Sequence, residues 1–243
     1  MIDNKKTILC FGDSNTHGYN SSNRGRFTED ERWTCLLSEY LGNNYSVKEE
    51  GMSGRTTVFK DPLFEGLDGI SYLFPCLMTH EPVDLLIIML GTNDVKERFS
   101  ATPQNIAKGL ERLTQKAISS TEAWRNKPNI LLIAPPPIEK EYENTDVSGE
   151  MGLGCAQKSK MLASFYKEVA KRNGCHFLDA ASIEGIHMYP YDYMHLSKES
   201  HKLLAHKLST LIPQICWLLP IVFESFKVIY FISVINKYHC YLA

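Results

Sequence analysis

Leu85-Leu86-Ile87-Ile88-Met89-Leu90-Gly91-Thr92-Asn93-Asp94 is an apolar run that breaks at a glycine and opens into small, amide- and carboxylate-bearing side chains. Its length suits a strand rather than a helix, and an unbroken apolar run suits a strand covered on both faces. The same pattern recurs on either side. Thr7 to Phe11 is a short apolar strand that stops at Gly12, and Tyr45 to Glu49 is another that runs into Gly51. Ile130 to Ala134 is cut short by Pro135-Pro136-Pro137, and His176 to Leu178 makes a short fifth strand. Between them lie helical stripes: Trp33, Leu36, Leu37, Tyr40 and Leu41 before Gly42; Ile106, Leu110, Leu113 and Ala117; Met161, Leu162, Phe165, Tyr166 and Val169 before Gly174. Ser197 is placed to cap a last helix over 198–212 that carries Leu204, Leu208 and Leu211. Strands alternating with helices imply an α/β fold, a three-layer flavodoxin-like sandwich around a central parallel sheet of about five strands.

Composition narrows the function classes without choosing one. A chain of 243 residues that is 44% hydrophobic can bury a sizeable core as a single domain. A net charge of −2 and the lack of a basic face argue against a nucleic-acid partner. The cysteines, Cys10, Cys35, Cys76, Cys155, Cys175, Cys216 and Cys240, form no C-x-x-C pair and are odd in number, which suits reduced thiols in the cytoplasm. Met1 to Lys6 carries no apolar h-region, so no signal peptide is expected. Gly12 to Gly18 lacks both the Lys-Ser/Thr ending of a phosphate loop and the G-x-G-x-x-G spacing of a dinucleotide site. His195, His201 and His206 have no cysteine or acidic ligand at metal-site spacing. Neither a cofactor nor a metal is expected.

The chemistry-bearing residues sit where the strands end. In an open parallel sheet the carboxyl-terminal strand ends face one crevice, so Gly12-Asp13-Ser14, Gly51 to Thr56 and Gly91-Thr92-Asn93-Asp94 should converge. Far downstream, Asp192-Tyr193-Met194-His195 puts an acid three residues before a histidine, where it can orient the ring. A serine in a tight strand-to-helix turn can then offer its hydroxyl to the other ring nitrogen, as nucleophilic acyl transfer needs. The G-x-S-x-G elbow of α/β-hydrolases is absent around Ser14 and Ser53. Glu184-Gly185-Ile186-His187 has the same acid-x-x-His form as the Asp192 pair.

With Phe11-Gly12-Asp13-Ser14-Asn15, Gly51 to Thr56, Gly91 to Asp94 and Asp192 to Ser197 in this order, the chain resembles the SGNH (GDSL) hydrolases over roughly residues 5–212. Arg32-Trp33-Thr34, Glu49-Glu50-Gly51 and Arg55-Thr56-Thr57 are most similar to the bacterial arylesterase and acyltransferase group of that family. The resemblance implies Ser14 as nucleophile, His195 as general base and Asp192 as its orienting acid. It further implies an oxyanion hole made of the Ser14 and Gly54 backbone N–H groups and the Asn93 side-chain amide. It selects His195 over His187, because Leu196-Ser197 and a helical stripe follow the former, and it gives Gly51 only a positive backbone dihedral at the strand exit. His17 stands where those arylesterases carry tryptophan near the acyl pocket, so their acyl preference does not carry over.

The implied activity is hydrolysis of small-molecule carboxylic esters with short acyl or aryl groups, through an acyl-enzyme that an alcohol can also accept. Two alternatives stay open: a lysophospholipase or thioesterase at a membrane, and a non-catalytic, membrane-tethered binding protein on the same scaffold. The hydrolase domain is expected over 1–212, followed by a hydrophobic tail over 213–243. Ile215 to Ile235 is 21 residues long and mostly apolar, but it holds Glu224 and Lys227 near its middle and Pro220 near its start. Each central charge costs roughly 2.5–3.5 kcal/mol in a membrane span. A membrane anchor or surface segment, a docking or homo-oligomer contact, and a chain end under no structural selection all remain open for it.

Overall fold

All five expected strands join one parallel sheet in the computed structural model, which describes residues 5–217. The chain runs β1 (Lys6–Gly12), α1 (Ser14–His17), a small hairpin of β2 (Tyr19–Asn20) and β3 (Gly25–Arg26), α2 (Trp33–Leu41) and β4 (Tyr45–Gly51). It continues through α3 (Gly69–Thr79), β5 (Leu85–Met89), α4 (Pro103–Ser119) and β6 (Ile130–Ala134). Last come α5 (Ser148–Met151), α6 (Cys155–Lys160), α7 (Leu162–Asn173), β7 (His176–Asp179) and α8 (Lys198–Trp217). The sheet order is β4-β1-β5-β6-β7, the doubly wound arrangement in which the chain leaves β1 to one side and then crosses to the other. Gly12 is level with Gly51 on β4 and Met89 on β5, so three strands end side by side at the switch point where such folds bind ligands.

Period-two alternation along the buried strands feeds two cores. Leu9, Phe11, Leu86 and Ile88 point to the face covered by α3, α4 and α7. Ile8, Cys10, Ile87 and Met89 point to the face covered by α2 and α8. Each fully buried Leu, Ile or Phe contributes roughly 1.5–3 kcal/mol, and together they hold the strand ends rigid beneath the site. The described cysteines are all free.

Three local features depart from the sequence reading. α3 carries apolar residues nearly all round and Pro75 in its interior, so it shows no clean stripe. It starts because the Asp68 carboxylate accepts the Ser71 N–H at 3.0 Å. Gly51 does not have a positive φ; a Cβ there would come within 2.1 Å of the His17 nitrogen, so glycine is required for α1 to pass close over β4. Finally, Ser197 does cap α8 through the Ser200 N–H at 3.1 Å, but the helix runs on to Trp217 through Pro213. Ile215 and Cys216 on this added turn pack against the α2–α8 core.

Most of the apolar 215–235 run lies outside the described residues. Among the described residues, no helix is long and apolar enough to cross a membrane. A chain ending at Trp217 keeps the whole of α8 and serves as the reference. Truncation after Ile212 strips the Ile215 packing and should cost about 1–2 kcal/mol, or roughly 3–6 °C for a domain of this size. Equal melting temperatures for the two truncations in calorimetry would show that the last turn adds nothing.

Candidate active site

Ser14 owes its position to a short turn. Asp13 caps α1, its carboxylate accepting the Asn15 N–H at 2.9 Å, so the serine is the first helical residue and its hydroxyl is free for other work. Burial pushes the Asp13 carboxyl up to about 6, against the opposing pull of that hydrogen bond and of His195. Across the crevice, Asp192 Oδ1 accepts the Met194 and His195 backbone N–H groups, each at 3.1 Å. Its Oδ2 lies 2.6 Å from His195 Nδ1, and His195 Nε2 lies 2.8 Å from Ser14 Oγ. A proton on Nδ1 meets the carboxylate and leaves Nε2 to accept from the serine hydroxyl. Burial alone would raise the Asp192 pKa, but the His195 contact and the two backbone donors hold it below its ordinary value.

The loops that carry Ser14 and His195, far apart in sequence, are tied together by Asn15. Its side-chain oxygen accepts the Leu196 N–H at 2.8 Å and its amide donates to the Met194 carbonyl at 3.3 Å. The Tyr19 ring, 4.6 Å from the His195 ring between centroids, covers the imidazole from the hairpin side. Neither role was legible in advance. Asn15 was visible only as part of its sequence block, and Tyr19 carried no signal.

Gly54 and Asn93 reach the same place from β4 and β5. Gly54 has a φ of +84°, a left-handed conformation that glycine adopts without steric cost. The Asn93 amide donates to the Arg55 carbonyl at 3.2 Å. Next to it, Asp94 is fully buried and accepts the Thr57 N–H at 2.9 Å and the Thr57 hydroxyl, which locks the β4 and β5 loops together. Burial pushes its carboxyl up to about 7, partly offset by the Thr57 bonds.

Ser14, Gly54, Asn93 and His195 all line one cavity of about 280 Å³, walled by Phe64, Leu67, Val147, Met151 and Met194. Asp192 is buried behind the imidazole. Lys96 also lines the cavity, and its ammonium lies 2.9 Å from Glu150 Oε1 on α5. A lone lysine two residues past Asp94 gave no sign of this. His17 does not line the cavity; it lies beside Arg26 and Glu49 instead.

The competing histidines go elsewhere. His187 is exposed, its Nδ1 2.9 Å from the Gly185 carbonyl, and Glu184 is exposed as well. His201 is buried, accepts the Trp33 N–H at 3.2 Å, and is pushed down to about 3 by burial. His206 faces solvent. The ligand atoms of Glu50, Cys76 and His80 lie within 4.8 Å of one another, the one such group among the described residues. None of the three lines the cavity, the Glu50 carboxylate already lies 2.7 Å from His80 Nε2, and burial pushes the Cys76 thiol up to about 12. This is the chemistry of a hydrogen-bonded pair at the sheet edge rather than of a metal centre.

A hydroxyl, a proton acceptor and a buried carboxylate in one hydrogen-bonded line can transfer an acyl group without a cofactor. Known proteins agree with that chemistry. The GDSL-like lipase/acylhydrolase family model matches residues 10–203. The M. smegmatis aryl esterase is 36% identical, with a TM-score of 0.78 over 86% of this chain and 99% of its own. A carbohydrate acetylesterase family member from Sinorhizobium meliloti is 34% identical, with a TM-score of 0.79 over 88% of this chain and 100% of its own. No curated protein matches the chain. The chain belongs to the GDSL-like lipase/acylhydrolase family, with the three-layer SGNH fold, and is a carboxylic ester hydrolase.

Proposed function

We propose that this hydrolase cleaves esters of short acyl groups with aryl or small alkyl leaving groups, through an acyl-enzyme on Ser14. Ser14 Oγ attacks the ester carbonyl while His195 Nε2 takes its proton, and Asp192 stabilises the imidazolium. The oxyanion is met by the Ser14 and Gly54 backbone N–H groups and the Asn93 amide, donors typically worth about 10²–10³ each in turnover. The imidazolium then protonates the departing oxygen. In the second half, water gives its proton to His195 as it attacks the acyl carbon, and the imidazolium returns that proton to Ser14 Oγ as the acyl C–O bond breaks and the carboxylic acid leaves. An alcohol in place of water gives acyl transfer.

The observation that carries this reading is the unbroken line Asp192–His195–Ser14, at 2.6 and 2.8 Å, ending in a largely apolar cavity. The volume of about 280 Å³ bears on substrate size. It falls just below the roughly 300–1,000 Å³ range of sites for drug-sized ligands, which suits acetyl to butyryl esters better than a lysophospholipid chain. The similar S. meliloti carbohydrate acetylesterase supports a small acyl group, and the M. smegmatis aryl esterase supports an aryl leaving group. A series of p-nitrophenyl esters from acetate to laurate tests it. We expect kcat/KM to peak between acetate and butyrate and to fall by about 100-fold at laurate, as a pocket that rejects extra methylenes would impose. A maximum at decanoate or laurate would favour the lipid-directed alternative, and no turnover on any ester would favour the binding protein.

A further inference from the structure

Arg55 is almost wholly buried, yet among the described residues its guanidinium hydrogen bonds go to carbonyls rather than to a carboxylate. Its Nη1 donates to the Gly12 carbonyl at 2.9 Å and also to the Glu50 carbonyl. The guanidinium carbon lies 4.2 Å from the Phe11 ring centroid and 5.3 Å from that of Tyr72. Glu50 and Asp13 act on it only through space, and burial lowers its pKa. Burying a cation in this way is costly, and packing alone would be met more cheaply by an apolar side chain.

The carbonyls it holds explain the placement. Gly12 ends β1 two residues before Ser14, and Glu50 lies on β4 ahead of the Gly54 turn. The Gly12 carbonyl also accepts the Met52 N–H at 3.1 Å, so the two strand exits share one node. The Arg55 carbonyl in turn accepts one hydrogen of the Asn93 amide at 3.2 Å, which fixes the amide plane and leaves its second hydrogen for the cavity that Asn93 lines. The segments bearing all three oxyanion donors are therefore bonded to one residue.

We propose that Arg55 is the positioning residue of the oxyanion site: its guanidinium sets the spacing of the Ser14 and Gly54 strand exits, and its carbonyl sets the Asn93 amide. The inference rests on the ester-hydrolysis reading above. Donors displaced by a few tenths of an ångström lose most of their effect on the transition state while still admitting the ground-state ester, so the loss should fall on kcat and spare KM.

The test is a double-mutant cycle in the full chain with p-nitrophenyl acetate. Arg55→Lys keeps the charge but not the planar fork, and should lower kcat about 100-fold with KM within about two-fold. Inactivation by a fluorophosphonate should slow by a similar factor. Because the guanidinium anchors the loop whose backbone carbonyl holds the Asn93 amide, the lysine variant moves that carbonyl as well, and adding Asn93→Ala to it should cost less than it costs the wild type. Multiplying losses, or a folded Arg55→Lys enzyme with kcat within about three-fold of wild type, would overturn the proposal. If Asn93→Ala alone keeps full turnover, the oxyanion reading itself fails and this inference with it; a slow Asn93→Ala beside a fast Arg55→Lys sinks only the inference. Should Arg55→Lys not fold, Tyr72→Leu, which removes one ring facing the guanidinium, is expected to lower kcat about five-fold at constant KM, and an unchanged kcat there overturns the proposal.

Discussion

Ser14→Ala is expected to lower ester turnover by a factor on the order of 10⁶, leaving only what binding and the oxyanion donors supply. The size of the effect follows from the geometry. The Ser14 hydroxyl lies 2.8 Å from His195 Nε2, which makes it the group at the cavity that can be deprotonated as it attacks. Stability should be nearly unaffected, because Asp13 rather than Ser14 caps α1, and the loop is held by Asn15. Melting within about 2 °C of wild type is therefore expected, a small change on the scale where 1 kcal/mol moves a domain of this size by about 2–4 °C. Covalent labelling by a fluorophosphonate should disappear in the variant. Near wild-type hydrolysis by a folded Ser14→Ala protein would end the acyl-enzyme mechanism, whatever the family.

The uneven legibility of this chain has a physical origin. The sheet could be read because strands covered on both faces, such as Leu85–Met89, must be apolar throughout, and because each ends at a residue that changes backbone direction. The switch-point crevice follows from strand order, so the convergence of Ser14, Gly54 and Asn93 required only that order. What escaped notice depends on contacts between distant segments. α3 hid because both of its sides are apolar and Pro75 reads as a breaker, and α8 outran its expected end because Pro213 reads as a stop. The requirement at Gly51 is the close approach of α1 overhead, which local sequence does not reveal. Asn15 and Arg55 each do their work through one or two long-range hydrogen bonds, and no periodicity announces those. The cavity walls from Phe64, Val147 and Met151 are set by how three loops settle around a site already fixed by the strands.

The two acid-x-x-His segments give the sharpest discrimination. His195→Ala is expected to lower turnover by a factor on the order of 10⁴–10⁶, because the serine then has no base and the leaving group no acid. His187→Ala should keep turnover within about two-fold, in line with the small effects of surface substitutions. The sequence alone offers the two pairs in the same form, and their surroundings separate them. Asp192 accepts two backbone N–H groups and the imidazole Nδ1–H, with both side chains buried, whereas Glu184 is exposed and the ring of His187 turns back to the Gly185 carbonyl. Since Asp192 is held below its ordinary value, it stays ionised to a lower pH than a free carboxylate and keeps orienting the imidazole as the solution is mildly acidified. Rate–pH profiles of wild type and His187→Ala should share the same acid limb. An inactive, folded His187→Ala variant beside an active His195→Ala would transfer the base to the upstream pair and make Glu184 its partner.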